Sequence, residues 1–256
     1  MAEQFKLQLV DSHMLYDSCR HMVFKRLDDQ AFKFIAGQFI QLHFQHDGAD
    51  LRRSYSVATV SADPQSGVAL IEIAVSYVSG GAATELLSNM QNGDCIDASG
   101  PYGRFVLNAE PERRNFLIAT GTGVTPYRAM LPQIRTFIER DNCQFVLLFG
   151  CRHGHEVLYA DEFQAMHDEV EGFEYIPCLS RTLPEDSPDN VCRGYVQTQL
   201  QQFSPDPGTD IAYLCGNPDM VDDCFRLLKE AGLPVPKIRR EKYVSPVIRA
   251  PKAPAA

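Results

Sequence analysis

The sequence predicts two domains of different class: an N-terminal antiparallel β-barrel, then a doubly wound α/β domain. Three observations carry this. Short segments that alternate apolar and polar residues, broken by turn formers, fill the first hundred residues. The pattern changes after Leu107, where residues 108–115 are polar, contain Pro111 and read as a linker. Beyond it, apolar runs alternate with helical periodicity, as expected of parallel strands covered by helices. The expected domains are therefore 1–110 and 111–256.

In the first domain, Ile40, Leu42 and Phe44 alternate with Gln41, His43 and Gln45. Ile71, Ile73 and Val75 alternate in the same way with Glu72 and Ala74. A period of two puts each apolar set on one face of a half-buried strand. Asp47-Gly48, Asp63-Pro64, Ser66-Gly67 and Asn92-Gly93-Asp94 supply the turns. Strands at this spacing suggest a small barrel, with one helix expected over 84–90. In the second domain the apolar runs 116–119, 145–149, 175–179 and 211–215 read as buried parallel strands. Met130, Ile134, Phe137 and Ile138 recur at helical spacing between the first two. The last helix is punctuated by Asn217 as cap, Pro218 in the first turn and Gly232 past its end. The proline- and alanine-rich run 250–256 reads as a mobile tail.

Bulk properties narrow the function. With 45% hydrophobic and 22% charged residues in 256, the chain has material for two cores. No apolar run approaches the ~18 residues that cross a bilayer, and residues 1–17 hold no signal-like apolar stretch. The eight cysteines are scattered without the close spacing of a zinc or iron–sulfur site. A reduced, cytoplasmic chain without metal or membrane partner is the expectation. A net charge of −9 argues against nucleic acid. Arg52, Arg53, Arg104, Arg113, Arg114, Lys237, Arg239, Arg240 and Lys242 lie near the motif segments. Gathered at one mouth, they would steer an acidic partner there.

The most informative stretch is Leu51-Arg52-Arg53-Ser54-Tyr55-Ser56-Val57-Ala58. A guanidinium fork suits a diphosphate, and a tyrosine two residues along a strand returns to the same face. Alone, the octapeptide fits equally an edge strand with solvated arginines. Gly121-Thr122-Gly123-Val124-Thr125-Pro126 follows an apolar strand and precedes an amphipathic helix, the setting of an anion-binding turn. Pro126 stands where a dinucleotide fingerprint would have its third glycine.

With Cys215-Gly216-Asn217-Pro218-Asp219-Met220, these segments resemble the ferredoxin–NADP reductase family of flavoproteins, from about residue 36 to 243. The resemblance implies FAD and NADP(H) as cofactors. It implies that the Arg53-Ser54-Tyr55-Ser56 segment holds the flavin: Arg53 on the pyrophosphate, Tyr55 stacked on the isoalloxazine and Ser56 near N5. Gly80-Gly81-Ala82-Ala83-Thr84 matches the family's second phosphate contact, although alone it reads as an ordinary helix start. Gly100-Pro101-Tyr102-Gly103-Arg104-Phe105 resembles a segment bordering the flavin, and fits equally a tight turn packed by aromatics. Gly121, Thr122, Gly123 and Thr125 would cradle the dinucleotide. Ser180, Arg181, Arg193 and Tyr195 match the positions that bind the 2′-phosphate and adenine, which favours NADP over NAD. Cys215 would sit against the nicotinamide with Gly216 among the cofactor-binding residues, Glu241 would position or protonate, and Tyr243 would cover the flavin. The catalytic set implied is Ser56, Cys215 and Glu241.

Gly150-Cys151-Arg152 and Leu158-Tyr159 with Glu162 also resemble the family and read as packing and loop geometry, while His153 and His155 read as a solvated loop. The implied activity is electron exchange between NADPH and a separate one-electron carrier, ferredoxin or flavodoxin, by a monomer. A flavin reductase and the reductase component of an oxygenase are the alternatives, and a nucleotide-sensing module without catalysis is a third.

Overall fold

The computed structural model describes residues 3–244, and the 250–256 run lies outside them. The first half contains β1 (Glu3–Tyr16), β2 (Cys19–Arg26), β3 (Phe39–His46), β4 (Ala49–Ser56), β5 (Leu70–Ser76), α1 (Ala82–Asn89) and β6 (Cys95–Tyr102). Its strands pair antiparallel in the order β4-β3-β6-β1-β2-β5. The two edges then meet. Val57, just past β4, bridges Ile73 of β5, and the Ala58 N–H donates to the Glu72 carbonyl at 2.7 Å. The sheet thus curls shut around Leu7, Leu9, Phe24, Ile40, Leu42, Ile71 and Ile73, all fully buried.

The stretch without a signal-like apolar run contains β1, in which Phe5, Leu7 and Leu9 point inward and Lys6 pairs outside with Asp97 at 2.8 Å. One local expectation shifts. Helix α1 begins at Ala82 because extended Gly81 starts it. Thr84 therefore falls inside the first turn, and its hydroxyl accepts from the Val78 N–H at 2.8 Å.

The second half contains β7 (Arg114–Thr120), α2 (Thr125–Asp141), β8 (Gln144–Cys151), α3 (Ala160–Glu169), β9 (Phe173–Leu179), β10 (Cys192–Arg193), α4 (Val196–Gln202), β11 (Asp210–Gly216), α5 (Pro218–Glu230) and β12 (Ile238–Lys242). All its strands pair in parallel, in the order β10-β9-β8-β7-β11-β12. Winding reverses between β7 and β11, which opens a crevice at their carboxyl ends. Alternate side chains of β7 divide the core: Phe116 and Ile118 pack with α4 and α5, whereas Leu117 and Ala119 join a core continuous with the barrel. Asn217 caps α5 as expected, its Oδ1 accepting from the Asp219 N–H at 2.8 Å and the Met220 N–H at 3.3 Å.

The polar 108–115 segment is linker only in part, because β7 starts at Arg114. Partners inside the fold make these polar residues compatible with burial. Arg114 holds the fully buried Asp210 through two hydrogen bonds, at 3.1 and 2.5 Å. The Asn115 amide donates to the Glu112 and Gln144 carbonyls. Several cations expected at one mouth are likewise engaged elsewhere. Lys237 pairs with Glu112, Lys242 pairs with Asp222, and Arg240 lies over the Phe225 ring. Arg114 stands at the amino end of β7, opposite the crevice.

Candidate active site

The crevice is shaped by backbone before any side chain enters it. Gly121 has φ +53 with nothing near a would-be Cβ, so the turn needs its left-handed conformation rather than space. Gly123 is the reverse case: a Cβ there would lie 2.3 Å from the Cys215 carbonyl oxygen. That close approach draws the turn after β7 onto the end of β11, and Thr120 Oγ1 accepts from the Asn217 N–H at 3.0 Å across the same seam. Gly123 is thus buried packing behind the turn. At the start of α2, the buried Thr125 hydroxyl has no hydrogen-bond partner among the described residues. A cavity of about 690 Å³ opens at the turn before α2, lined among others by Gly121, Thr122, Ser180, Tyr195, Gly216 and Tyr243, with Thr125 behind its wall. Tyr16 and Ser76, which the sequence reading did not single out, line it from the barrel side.

At one side of the cavity, Ser180 and Arg181 leave β9, their backbone amides held by the Cys151 and Arg152 carbonyls at 2.9 and 3.0 Å. Arg193 sits in β10, and Tyr195 follows it, 58% exposed. Among the described residues neither Arg181 nor Arg193 has an acidic partner, whereas nearby Arg152 is engaged by Glu156 at 2.6 Å. Two unneutralised guanidinium groups flank an open cavity.

On the barrel, the pleat of β4 sorts the octapeptide. Leu51, Arg53 and Tyr55 are half-buried, while Arg52 and Ser54 are exposed on the opposite face. Ser54, included among the cofactor-binding candidates, is thereby directed away from Arg53 and Tyr55, and its hydroxyl lies 3.5 Å from the Gln41 amide. Burial pushes the Tyr55 phenol up, so it stays neutral. The Arg53 guanidinium donates to the Arg52 carbonyl at 2.8 Å and has no acidic partner among the described residues. Glu85, in the first turn of α1, comes within 3.8 Å of His46 at the end of β3. The Gly80–Thr84 turn therefore flanks the hairpin that carries Arg53. With Thr84 Oγ1 accepting from Val78, its own proton remains available to donate.

Four candidates converge where the halves meet. The hydroxyls of Ser56, from the barrel, and Tyr243, beyond β12, share a hydrogen bond of 2.5 Å. The Tyr243 N–H is anchored on the Gly216 carbonyl at 2.8 Å. Cys215 and Glu241 are register partners on β11 and β12. Burial, and then the nearby Glu241 charge, push the Cys215 sulfur well up, so it is a thiol and not a nucleophilic thiolate. Burial raises the Glu241 carboxyl to about 7, against a hydrogen bond from Ser56 that favours its charged form. A carboxyl poised there can hold or release a proton near neutrality.

A second bridge between the halves was not anticipated. Arg128 of α2 reaches Glu72 at 2.5 Å, Glu162 at 2.8 Å and the Ala58 carbonyl at 2.8 Å, and stacks 4.7 Å over the Tyr159 ring. His21 completes it, 3.4 Å from Glu72 and 3.0 Å from the Tyr159 hydroxyl. Glu72 had read as the polar side of a half-buried strand; here that side faces the other domain. An arginine in the first turn after the glycine loop was the available signal.

The chain matches the sequence profile of the oxidoreductase FAD-binding domain over residues 6–107 and that of the oxidoreductase NAD-binding domain over 117–225. It is 32% identical over 251 residues to ferredoxin–NADP reductase B of Sorangium cellulosum, covering 94% of this chain and 98% of that protein. The chain belongs to the ferredoxin–NADP reductase family. It is an oxidoreductase whose barrel binds FAD and whose α/β domain binds a nicotinamide dinucleotide.

Other members of the family are built into longer proteins. The reductase component of propane 2-monooxygenase of Rhodococcus jostii is 30% identical over 86% of this chain, which spans 58% of its length. Similar folds include a ferredoxin NADP+ reductase from Neisseria gonorrhoeae with bound FAD and NADP (TM-score 0.79, 21% identity, 94% and 99% of the two chains). The FAD/NAD-binding domain of nitric oxide dioxygenase from Vibrio cholerae is another (TM-score 0.78, 20% identity, 93% and 98% covered). No helix among the described residues is long and apolar enough to cross a membrane.

The donor set suits both cofactors. Arg53, Arg181 and Arg193 have no acidic partner among the described residues, and Gly121 and Thr122 bring the turn before α2 to the cavity. Phosphate-rich dinucleotides satisfy such groups.

Proposed function

We propose that this member of the family exchanges electrons between NADPH and a one-electron carrier protein, ferredoxin or flavodoxin. The observation that carries the reading is the meeting of Ser56 with Tyr243, beside Glu241 and Cys215, at the end of the cavity formed by the nucleotide loops. When bound, FAD supplies an acceptor for the nicotinamide hydride and returns electrons singly to a carrier.

The chain's own groups orient and shield. Arg53 pairs with the FAD pyrophosphate, the Gly80–Thr84 turn contributes backbone and hydroxyl donors, and Tyr55 offers a neutral ring for stacking. The Ser56 hydroxyl donates at the flavin edge, and Tyr243 covers the face that nicotinamide must reach. Cys215, buried as a thiol, supplies a compact wall, while Glu241 holds a proton beside it. Arg181 and Arg193, with Ser180 and Tyr195, receive the 2′-phosphate and adenine. The ferredoxin–NADP reductase of Sorangium cellulosum, matched almost end to end, supports this carrier class over the longer oxygenase components.

The test is reduction of cytochrome c by NADPH, dependent on added ferredoxin or flavodoxin, with NADPH favoured over NADH and yellow colour retained after desalting. A protein that released its flavin, or reduced free flavin faster than either carrier, would be a flavin reductase and overturn the reading. Absence of NADPH oxidation with ferricyanide would reduce it to a sensing module.

A further inference from the structure

Two cysteines of the nucleotide half have no part in that reading. Cys178 and Cys192 are direct partners across the β9–β10 ladder, both free, with their sulfurs 3.3 Å apart. Neighbouring strands lie about 4.8 Å apart, within the Cα range that a disulfide spans. Bringing the sulfurs to bonding distance therefore takes side-chain rotation and little strand movement. Cys192 is half-buried and reachable, whereas Cys178 is fully buried in the cluster that includes Val196 and Leu200 of α4. The hydrogen bond shared by the two sulfurs lowers the Cys192 thiol below its ordinary value and, together with burial, raises Cys178. One sulfur is thus suited to attack and the other to resolve. The chain between them carries Ser180 and Arg181, Arg193 and Tyr195 follow directly, and Cys178 lines the cavity.

We propose that Cys178 and Cys192 are a peroxide-oxidisable dithiol whose disulfide closes the 179–191 loop and holds the adenosine end of the cavity in its binding arrangement. Ionised Cys192 attacks one peroxide oxygen; the O–O bond breaks, a sulfenic acid forms and the other oxygen leaves as water after taking a proton. Cys178 then attacks that sulfur as it gives up its proton. The S–S bond forms, the S–O bond breaks and a second water leaves. Two thiols and one hydrogen peroxide thereby yield one disulfide and two waters, the two electrons passing from sulfur to oxygen. A preorganised loop binds its ligand with less ordering cost. This link to the nucleotide rests on the NADPH reading above.

The experiment treats the FAD-loaded full-length protein with a small excess of hydrogen peroxide, alkylates the remaining thiols and maps the peptides. The expected result is a mass loss of about 2 Da and a linked Cys178–Cys192 peptide. The link is reversed by dithiothreitol, is lost in Cys192→Ser and is retained in Cys224→Ser, which removes another thiol near Cys178. A Cys178–Cys224 link, or Cys192 recovered as sulfinic acid beside a free Cys178, overturns the dithiol. The oxidised enzyme should show a KM for NADPH lowered about twofold or more at unchanged kcat. An unchanged KM in an enzyme that uses NADPH overturns the loop coupling. Exclusive use of NADH would sink the NADPH reading, while the peptide map still decides the dithiol.

Discussion

Glu72 and Glu241 are two carboxylates at the two bridges between the domains, and their surroundings push them in opposite directions. Hydrogen bonds from His21 and Arg128 hold Glu72 down to about 2 against the cost of burial. Glu241 is raised to about 7 by burial, with only the Ser56 hydrogen bond opposing. Glu72 is therefore charged at every pH well above 2 and belongs to a clamp that holds across the neutral range. Glu241 changes charge near neutrality, beside a tyrosine and serine that one hydrogen bond joins. The contrast separates a contact whose charge holds across neutral pH from one whose charge changes there.

The largest expected effect comes from breaking the clamp. Arg128→Ala leaves Glu72 and Glu162 without their cation and should cost about 3 kcal/mol of stability, seen as a lower denaturation midpoint. A loss below 1 kcal/mol would make the clamp an ordinary surface pair. On the barrel side, Arg53→Ala should weaken FAD retention by tenfold or more, because a charge-assisted pair contributes about 1.5–3 kcal/mol. Flavin fluorescence released on desalting measures it; tight retention would move the pyrophosphate elsewhere.

The two carboxylates also predict opposite pH slopes. Unfolded, each titrates near 4.5. Folded Glu241 keeps its proton to about 7, so its contribution falls as pH rises through that window and stays low above it. Glu241→Gln should therefore gain stability over the parent at pH 8, by on the order of 2 kcal/mol, and gain none near pH 4. Glu72 works the other way: its contribution is present above about 4.5 and lost as pH falls toward 2, a loss that Glu72→Gln should abolish. Parallel unfolding curves for parent and variants across pH would contradict both assignments.

The smallest expected change sharpens the cofactor choice. Arg181→Ala should reduce the preference for NADPH over NADH about tenfold, 1.4 kcal/mol, with kcat little altered. An undiminished preference would assign the 2′-phosphate to Arg193 alone.

Much of this was legible in one dimension. Turn formers and period-two alternation marked β3 and β5, and apolar runs marked β7, β8, β9 and β11, because burial of one or both strand faces is written in residue order. Asn217 and Pro218 announced α5, since capping is a local transaction between neighbours. The arginine, glycine and cysteine segments were visible for the same reason: each is a contiguous backbone shape with its donors attached. Tertiary structure alone decided what depends on distant partners. It turned Glu72 toward Arg128 and Tyr159, withdrew Arg114 into a pair with Asp210, set Tyr243 on Ser56 and laid Cys192 against Cys178. A charge or thiol acquires its chemistry from burial and from its neighbours in space, and neither is encoded in the spacing of residues along the chain.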